Sequence, residues 1–403
     1  KDTRRSSYML ENALAAGITS SGADAFLLHV TTTPSVSYAI QSDDFDCGIM
    51  ISASHNPFTD NGIKIMDANG AKMGDEFLEK IEDYIDIGTD DLPLAQGADI
   101  GETQDYVFGR NRYIGYLIST VHRSFKGKRI GLDCANGAAF QIAKNVFEAL
   151  GADVVVIHDK PNGLNINVNC GSTHMEDLVE LVKNEKLDAG FAFDGDADRC
   201  LSVDNKGNIV DGDATLYICG VALKEQGALL NNTIVTTVMS NFGLYKALNR
   251  AGIDYVQTSV GDKYVTAEMI EKGYVIGGEQ SGHTVFSKYA TTGDGVLTAL
   301  RLMEVMVEGK TDLATLHADL KIYPQILKNV KVVDKSSVLN NEAVNTAINE
   351  ATAKLGDDGR ILVRPSGTEP VLRVMAEAGT KEACEEAVNY IIDGIIQAGL
   401  LVE

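Results

Sequence analysis

Three carboxylates, Asp194, Asp196 and Asp198, alternate along the chain directly after the apolar segment Ala189–Phe193. This short apolar run predicts a buried strand with the carboxylates at its carboxyl end. In extended backbone, alternate side chains share one face, so the three carboxylates can converge on a single ion. Hard oxygen ligands of this type suit Mg²⁺, which usually keeps coordination positions for water or a phosphate oxygen.

The acidic segment also has other interpretations. An EF-hand is excluded, because its loop needs Gly at the sixth position and Glu at the twelfth, where this chain has Arg199 and Asn205. An aspartyl-phosphate phosphatase, with one aspartate as the nucleophile, remains compatible with the residues. A solvated acidic loop without function is the remaining alternative, and the position directly after a buried strand argues against it.

A serine beside a histidine, Ser54 and His55, follows the short apolar run at residues 49–51. Polar residues at the carboxyl end of a buried strand lie where open α/β sheets bind ligands, so Ser54 is a candidate nucleophile. After a turn signal at residues 60–62, Lys64 lies on a predicted returning strand. No glycines flank Ser54 as in Gly-x-Ser-x-Gly, which disfavours a hydrolase triad, and a polar turn is the alternative for Ser-His alone.

A segment near the carboxyl terminus combines groups that bind phosphate. Arg364 can make a bidentate contact, Ser366 and Thr368 supply hydroxyls, and Gly367 allows backbone N–H groups to point inward. The Gly-x-x-x-x-Gly-Lys-Ser/Thr pattern of a P-loop is absent from this segment. A plain turn is the alternative interpretation.

A fourth polar segment contains Glu279, Ser281 and His283 between glycines. A carboxylate and a hydroxyl two residues apart can each bind a neighbouring hydroxyl of a sugar. A polar loop without function is the alternative for this segment in isolation.

The composition restricts the class of partner. The chain has 403 residues and a formal net charge of −22, which disfavours nucleic acid and anionic membranes because both require basic surfaces. An anionic substrate must therefore be bound by a local cluster of Arg and Lys. The six cysteines are scattered without a Cys-x-x-Cys pair, which favours free thiols in a reducing cytoplasm.

Elements predicted from apolar periodicity place each polar segment after a strand. Three α/β cycles followed by one smaller α+β unit predict four domains, at residues 1–124, 125–228, 229–322 and 323–403. The predicted helices lie at residues 6–16, 75–85, within 105–121, and at 139–150, 175–184, 242–251, 263–272, 295–308, 342–355 and 381–398. The predicted strands include residues 24–30, 130–133, 154–158, 189–193, 234–238, 253–257 and 274–276.

Taken together, the four polar segments are far more specific than any one of them. Ser-Ala-Ser-His-Asn-Pro, Asp-Gly-Asp-Ala-Asp-Arg, Gly-Glu-Gln-Ser-Gly-His and Arg-Pro-Ser-Gly-Thr-Glu-Pro resemble, in order and spacing, the four active-site loops of the α-D-phosphohexomutase superfamily. The resemblance covers essentially the whole chain. It implies three consecutive mixed-sheet α/β domains and a smaller C-terminal α+β domain around a central cleft.

The resemblance also implies a role for each segment. Ser54 would carry a phosphoryl group and would bind Mg²⁺ together with the three aspartates, and a sugar bisphosphate would serve as activator and intermediate. The resemblance further implies that the reacting centre is lined by His55, Lys64, Arg199 and His283. Glu279 and Ser281 would bind hydroxyls of the sugar. The phosphate that does not react would be bound by Arg364, Ser366, Gly367 and Thr368.

The implied activity is a phosphosugar mutase in the cytoplasm, acting on a small phosphosugar and on neither nucleic acid nor membrane. Gln280 favours the amino sugar, glucosamine 6-phosphate, because bifunctional relatives that act on mannose and glucose phosphates usually carry Met there. A phosphomannomutase/phosphoglucomutase, a phosphatase and a non-catalytic sugar-phosphate binder are the alternatives. The sequence does not determine the oligomeric state, and a homodimer is the assembly considered.

One departure from the superfamily pattern concerns the beginning of the sequence. Members normally have an opening strand and a Thr-Asp-Gly-Ile/Phe-Arg-Gly loop before the point that matches Lys1, and here both are absent. We expect a sheet without that strand to expose unpaired backbone groups.

Overall fold

The computed structural model describes residues 1–88, 94–366 and 371–402. Backbone contacts divide the chain into two compact units, of which the first contains Lys1–Ser240 and Ala251–Asp319. The second unit contains Asn241–Arg250 and Leu320–Glu403. Within the described ranges, none of the helices has both the length and the apolar character that crossing a membrane requires.

The first 124 residues build two small sheets with helices beside them. Their elements are α1 (Arg5–Ser20), β1 (Ala25–Leu27), α2 (Thr33–Ser42), β2 (Gly48–Ile51), β3 (Ile63–Met66), α3 (Asp75–Ile87), β4 (Thr103–Asp105) and α4 (Val107–Ser119). Strand β1 pairs in parallel with β4, whereas β2 and β3 form a separate antiparallel pair. Val36 and Ile40 of α2 pack on Met50 and Met66, which fixes β2 and therefore the polar residues that follow it.

A cavity of about 530 Å³ separates these two small sheets. Residues of β1, including Phe26, and of β2, including Ile49, line it together with apolar side chains of α1 and α2. Strands β1 and β2 belong to different two-stranded sheets among the described residues, and the expectation of unpaired backbone groups stays a prediction.

The next segment forms a five-stranded sheet in the order β6-β5-β7-β8-β9. Its elements are β5 (Arg129–Asp133), α5 (Ala143–Ala149), β6 (Asp153–Ile157), α6 (Glu176–Glu185), β7 (Ala189–Phe193), β8 (Cys200–Asp204), β9 (Ile209–Val210) and α7 (Gly212–Glu225). Strands β6, β5 and β7 are parallel, and β8 and β9 continue the sheet as antiparallel strands. Strand β7 is buried along its whole length and ends directly at Asp194.

The third segment forms a four-stranded sheet in the order β11-β10-β12-β13. Its elements are β10 (Thr233–Thr237), α8 (Phe242–Ala251), β11 (Asp254–Thr258), α9 (Asp262–Lys272), β12 (Ile276–Gly278), β13 (Thr284–Phe286), α10 (Gly295–Glu308) and α11 (Leu313–Leu316). Strands β12 and β13 form a hairpin whose connection carries Glu279 to His283. Asp294 caps α10 by accepting a hydrogen bond from the backbone N–H of Leu297.

The second unit contains a three-stranded antiparallel sheet in the order β14-β16-β15. Its further elements are β14 (Gln325–Lys331), α12 (Lys335–Leu339), α13 (Glu342–Leu355), β15 (Gly359–Pro365), β16 (Val371–Ala378) and α14 (Lys381–Gln397). Helices α13 and α14 bury Val344, Val388 and Ile391 with Leu372 and Val374 of β16 in one core. Apolar residues at alternate positions of β16 pack into this core. They thereby fix the neighbouring strand β15, which carries Arg364, and Ser366 at its end.

The predicted strand at residues 189–193 and the helices at 295–308 and 342–355 are confirmed with their bounds. The predicted helix at 139–150 is wrong in its first part, where a 3₁₀ turn at Ala138–Gln141 precedes α5. The predicted helix stop at Gly17 is also wrong, since α1 continues to Ser20. Helices α2 and α7 were not predicted, although Pro34 after the capping residue Thr32 is a typical start signal.

Candidate active site

Ser54 lies just after β2 in a backbone conformation that non-glycine residues rarely adopt, with φ of 52°. Its backbone N–H donates to the hydroxyl of Ser52 over 2.9 Å. Its own hydroxyl donates to Oδ2 of Asp194 over 2.6 Å and lies 3.4 Å from Nδ1 of His55. The structure therefore joins the serine segment and the aspartate segment, which are 140 residues apart in sequence.

The three aspartates converge as expected, but the expected extended backbone is wrong: the segment is a turn, in which Ala197 has φ of 55° and its N–H donates to the carbonyl of Asp194 over 3.1 Å. One carboxylate oxygen from each lies within 4.8 Å of the others, and all three residues are buried. Oδ1 of Asp196 and Oδ1 of Asp198 are buried without a hydrogen-bond partner among the described residues. Burial and the two neighbouring carboxylates raise the pKa of Asp194 well above its usual value. Orphaned acceptors and mutual repulsion of this kind fit a bound divalent cation.

Two cationic side chains lie beside the aspartates. Nζ of Lys64 donates to Asp196 over 2.5 Å and to Asp198 over 3.0 Å. Burial alone lowers the pKa of Lys64, but the attraction of these carboxylates exceeds that effect and raises the pKa above its usual value. Nη1 of Arg199 lies 3.0 Å from Nδ1 of His55, and burial together with Arg199 lowers the pKa of His55. His55 is therefore predominantly neutral at neutral pH.

Two residues that the sequence did not indicate hold the serine segment in place. The buried guanidinium of Arg4 donates to the carbonyl oxygens of Ser54 and Asn56, each over 3.0 Å, and to that of Pro57 over 2.8 Å. The amide of Asn167 donates to the carbonyl of Ser54 over 2.8 Å and to that of Asn56 over 3.1 Å. The cluster of Asn residues at 162–169 is a sequence signal that could have drawn attention to Asn167.

The hairpin connection between β12 and β13 reaches the aspartate segment. Arg199 and His283 form a β-bridge, and the N–H of Cys200 donates to the carbonyl of Gly282 over 3.1 Å. His283 is buried and neither ring nitrogen has a hydrogen-bond partner among the described residues. Ser281 is exposed. The structure thus places the segments with Ser54, Asp194 and His283 at one site.

Gln280 does not have a free side chain. Its amide Nε2 donates to Oδ2 of Asp211 over 3.1 Å, and the N–H of Gly212 donates to its carbonyl over 3.0 Å. Glu279 accepts a hydrogen bond from the N–H of Gly261 over 3.1 Å. These three hydrogen bonds fix the hairpin connection, so Gln280 acts here by holding the segment in position.

The second unit carries the predicted phosphate-binding segment. Arg364 lies on β15 directly opposite Arg373 on β16, and burial followed by repulsion from Arg373 lowers the pKa of Arg364. Nε of Arg364 is buried without a hydrogen-bond partner in the described part of the chain. Nζ of Lys335 donates to the carbonyl of Ser366 over 2.7 Å. Gly367 and Thr368 lie outside the described residues.

The paired guanidinium groups of Arg364 and Arg373 make an environment suited to a dianion, because a dianion offsets the repulsion between them. Arg373 and Lys335 were not predicted from the sequence. Arg373 carries a signal nevertheless, since it is a charged residue between apolar neighbours of a strand.

Four family profiles match the chain in sequence order. They are described as phosphoglucomutase/phosphomannomutase α/β/α domain I at residues 1–90, α/β/α domain II at 111–207, α/β/α domain III at 211–323, and the C-terminal domain at 327–393.

Similar curated proteins extend the same result. The chain is 59% identical over 402 residues to the phosphoglucosamine mutase of Lachnospira eligens, with 100% of the chain and 89% of that protein covered. It is 51% identical over 393 residues to the phosphoglucosamine mutase of Bacillus subtilis, with 98% of the chain and 88% of that protein covered.

Solved structures share the fold. A phosphoglucomutase/phosphomannomutase family protein from Burkholderia thailandensis superposes with a TM-score of 0.81 at 24% identity, covering 100% of this chain and 90% of that one. The N-acetylphosphoglucosamine mutase of Aspergillus fumigatus, solved with GlcNAc-6P and magnesium, gives a TM-score of 0.68 at 17% identity, covering 96% and 94%.

Proposed function

The chain belongs to the phosphoglucomutase/phosphomannomutase family and is a phosphosugar mutase, an isomerase, and we propose that its reaction interconverts glucosamine 6-phosphate and glucosamine 1-phosphate. The observation that supports the chemistry is the contact of 2.6 Å between the Ser54 hydroxyl and Asp194 within a buried carboxylate triad. The observation that supports the amino sugar is that relatives at 59% and 51% identity are named phosphoglucosamine mutase.

In the proposed reaction, Ser54 Oγ carries the phosphoryl group. The P–O bond to Ser54 breaks while a P–O bond to the sugar hydroxyl forms, and the product is a sugar bisphosphate. The hydroxyl proton passes to a neighbouring base, and Ser54 regains a proton as its hydroxyl reforms. After the bisphosphate has reoriented, its other phosphoryl group returns to Ser54 by the reverse of these steps.

Asp194, Asp196 and Asp198 would hold one Mg²⁺, since the three carboxylates converge and the orphaned Oδ1 atoms of Asp196 and Asp198 fit a hard divalent cation. When bound, the ion neutralises negative charge on the transferring phosphoryl group. Lys64 and Arg199 add positive charge on the protein side of the same site. His55 would line the reacting centre as a neutral ring, because burial and Arg199 lower its pKa, and its Nδ1 accepts from Arg199 and lies 3.4 Å from the Ser54 oxygen.

The substrate would be held at two places away from the reacting phosphoryl group. Glu279 and Ser281 would bind sugar hydroxyls, with His283 beside them. Arg364, Ser366, Gly367 and Thr368 would bind the phosphate that does not react, with Arg373 as an additional cation. A phosphate group in that position relieves the repulsion between the two guanidinium groups, which supports this assignment.

The test is an assay of the purified protein with Mg²⁺ and a trace of glucose 1,6-bisphosphate. Glucosamine 6-phosphate, glucose 6-phosphate and mannose 6-phosphate are compared by kcat/KM. We expect glucosamine 6-phosphate to give the highest value. A preference for glucose or mannose phosphate would replace the proposed substrate by that of a phosphoglucomutase/phosphomannomutase, and release of inorganic phosphate alone would indicate a phosphatase.

Three further assignments accompany this proposal. The domain bounds are residues 1–124, 125–228, 229–322 and 323–403, with one active-site segment in each. The enzyme acts in the cytoplasm, where its sugar phosphates occur. A homodimer is the oligomeric state to be tested by light scattering.

A further inference from the structure

A second cluster of metal-ligand side chains lies in the five-stranded sheet, apart from the residues assigned to the reaction. Asp133 is the last residue of β5, His158 directly follows β6, and Cys170 directly precedes a short helical turn. Because β5 and β6 are neighbouring parallel strands and Asp133 pairs with Ile157, their carboxyl ends bring Asp133 and His158 together. One carboxylate, one imidazole and one thiol atom lie within 4.8 Å of one another.

The contact with Asp133 raises the pKa of His158, but its direction is not that of a good hydrogen bond and also suits two ligands of one ion. Nδ1 of His158 lies 3.0 Å from Oδ2 of Asp133, yet this buried nitrogen makes no hydrogen bond with suitable direction among the described residues. Two N or O ligands about 2.0–2.1 Å from a tetrahedral zinc ion are separated by about 3.3 Å. The observed separation is close to that value, and the ring nitrogen does not point at the oxygen.

The side chains around the cluster already orient its ligands. Nε2 of His158 lies 3.2 Å from Oδ2 of Asp177, and a carboxylate on the far nitrogen is the usual support of a metal-bound histidine. The carboxylate of Asp133 accepts hydrogen bonds from the backbone N–H groups of Ala135 over 2.8 Å and Gly171 over 2.9 Å. The cluster is therefore built from two supported ligands and one buried thiol.

The backbone of His158 gives a further indication. Its φ is 50°, in the left-handed region where glycine is free of strain and a side chain is not. Histidine is found in this region more often than most residues, and contacts of the ring with Asp133 and Asp177 hold His158 there.

The donor set identifies the class of ion. A carboxylate, a neutral imidazole and a thiolate carry two negative charges, which balance a divalent cation. Nitrogen and sulfur ligands suit Zn²⁺, whereas Mg²⁺ prefers oxygen ligands alone. We propose that Asp133, His158 and Cys170 form a binding site for a thiophilic divalent cation, with Zn²⁺ as the ion that fits best.

Binding at this site has a definite proton balance and a structural consequence. Burial raises the pKa of the Cys170 thiol to about 12, and the contact with Asp133 raises that of His158, so the thiol proton and the proton of a charged imidazole are released to solvent when the ion binds. The ion would join both ends of the segment at residues 158–170. That segment carries Asn167, whose amide holds the carbonyl of Ser54, so the ion would stiffen one support of the serine segment.

The experiment uses the full chain in a Cys47→Ser background, which removes an exposed thiol that could bind metal on its own. Metal-free protein is supplied with excess Mg²⁺ to fill the aspartate triad and is then titrated with Co²⁺ or Zn²⁺. We expect one Zn²⁺ per chain after gel filtration and a thiolate-to-cobalt charge-transfer absorption, which an all-carboxylate site cannot produce.

Three variants and one control decide the assignment. Cys170→Ala should abolish the cobalt–thiolate absorption, whereas the matched variant Cys219→Ala, whose buried thiol also has its pKa raised to about 12, should retain it. His158→Gly should lose Zn²⁺ while folding normally, since glycine adopts positive φ without strain. Asp177→Asn should weaken Zn²⁺ binding by about 10- to 100-fold. Absence of the absorption in the parent protein, or unchanged Zn²⁺ affinity in His158→Gly, would overturn the proposal.

Discussion

At the scale of single residues, the site depends on a serine hydroxyl placed against a buried carboxylate. Ser54 Oγ donates to Asp194, and the left-handed backbone of Ser54 directs that hydroxyl into the site. The same position would let a phosphoryl group on Ser54 reach the ion held by the triad. The proposed phosphoryl transfer therefore depends on Ser54 Oγ and on the carboxylates around it.

Ser54→Ala should reduce mutase activity more than about 1,000-fold, because loss of a nucleophile removes the only carrier in the proposed cycle. Coupled assay with glucosamine 6-phosphate measures the activity, and intact mass measures phosphate on the protein. Ser52→Ala removes the neighbouring hydroxyl and should leave the phosphorylation site in place. Phosphate on another residue, with full activity in Ser54→Ala, would contradict the assignment.

Asp196→Asn should weaken Mg²⁺ binding at least about tenfold. Mutation of a residue that only supports a metal ligand already costs about that much affinity, and Asp196 is proposed as a direct ligand. The variant removes one carboxylate charge while it keeps the size of the side chain. Isothermal titration with Mg²⁺ measures the affinity, and Asp153→Asn, at an exposed carboxylate of β6, is the control. Equal Mg²⁺ affinity in wild type and Asp196→Asn would remove the triad from the metal site.

At the scale of elements, buried hydrogen bonds fix the segment that carries the serine. Arg4 precedes α1 and donates to several carbonyl oxygens of the segment, and Asn167 approaches the same carbonyls from the five-stranded sheet. A polar segment held at its backbone in this way can keep a strained conformation at Ser54.

Arg4→Lys should lower both stability and kcat, because lysine keeps the charge but cannot serve the same carbonyls with a planar fork. Each buried carbonyl left without a donor costs about 1–3 kcal/mol. Thermal unfolding and kcat are measured together, and Arg5→Lys at the exposed neighbouring position is the matched control. If Arg4→Lys and Arg5→Lys behave alike, the guanidinium does not support the serine segment.

In the second unit, Arg364→Ala should raise KM for glucosamine 6-phosphate and glucosamine 1-phosphate alike. Charge-assisted hydrogen bonds contribute roughly 1.5–3 kcal/mol each, which corresponds to about 10- to 150-fold in binding. Arg364→Lys should recover part of the loss, since a point charge replaces the bidentate contact. Lys328→Ala, at an exposed position of β14 in the same unit, is the control. Unchanged KM for both sugar phosphates would exclude Arg364 from phosphate binding.

At the scale of the whole molecule, buried polar contacts connect elements that are distant in sequence. The hydroxyl of Tyr113 on α4 donates over 2.7 Å to Asp294, which caps α10, and the N–H of Gly295 donates to the carbonyl of Ala197 over 3.0 Å. The start of α10 therefore contacts both α4 and the aspartate segment. Its capping carboxylate is a link between the first and third groups of elements.

Burial raises the pKa of Asp294 from 3.8 to about 6. The folded state thus binds a proton more tightly than the unfolded state, so the stabilisation from this group is present below pH 3.8 and is lost as the pH rises through about 6. The loss is up to about 3 kcal/mol for a shift of this size. Asp294→Asn keeps a good cap but does not titrate.

The difference in melting temperature between Asp294→Asn and wild type should therefore increase from pH 4.5 to pH 7.5. Subtraction of the two curves removes the contribution of all other titrating groups. Asp312→Asn, at the half-buried cap of α11, should show almost no change over this range, because hydrogen bonds lower the pKa of Asp312 and its titration therefore lies below pH 4.5. A pH-independent difference for Asp294→Asn would mean that the buried carboxylate does not titrate in this range.

The sequence by itself determined the four polar segments and their order along the chain. Each segment directly follows an apolar strand, as Asp194 follows Ala189–Phe193, so local periodicity placed the chemistry at strand ends. Two long helices, the largely buried α10 and the amphipathic α13, were also predicted with their bounds. These features depend on neighbours in sequence, which is why a single chain reveals them.

Only the tertiary structure decided which residues meet. The contact of Ser54 with Asp194, the carbonyl contacts of Arg4 and Asn167, and the cross-strand pair of Arg364 and Arg373 join residues from different elements. Such contacts depend on strand register and on the packing of whole elements, and neither has a local signature in the sequence. The attachment of Gln280 to Asp211 has the same origin, because it follows from where α7 begins beside the hairpin between β12 and β13.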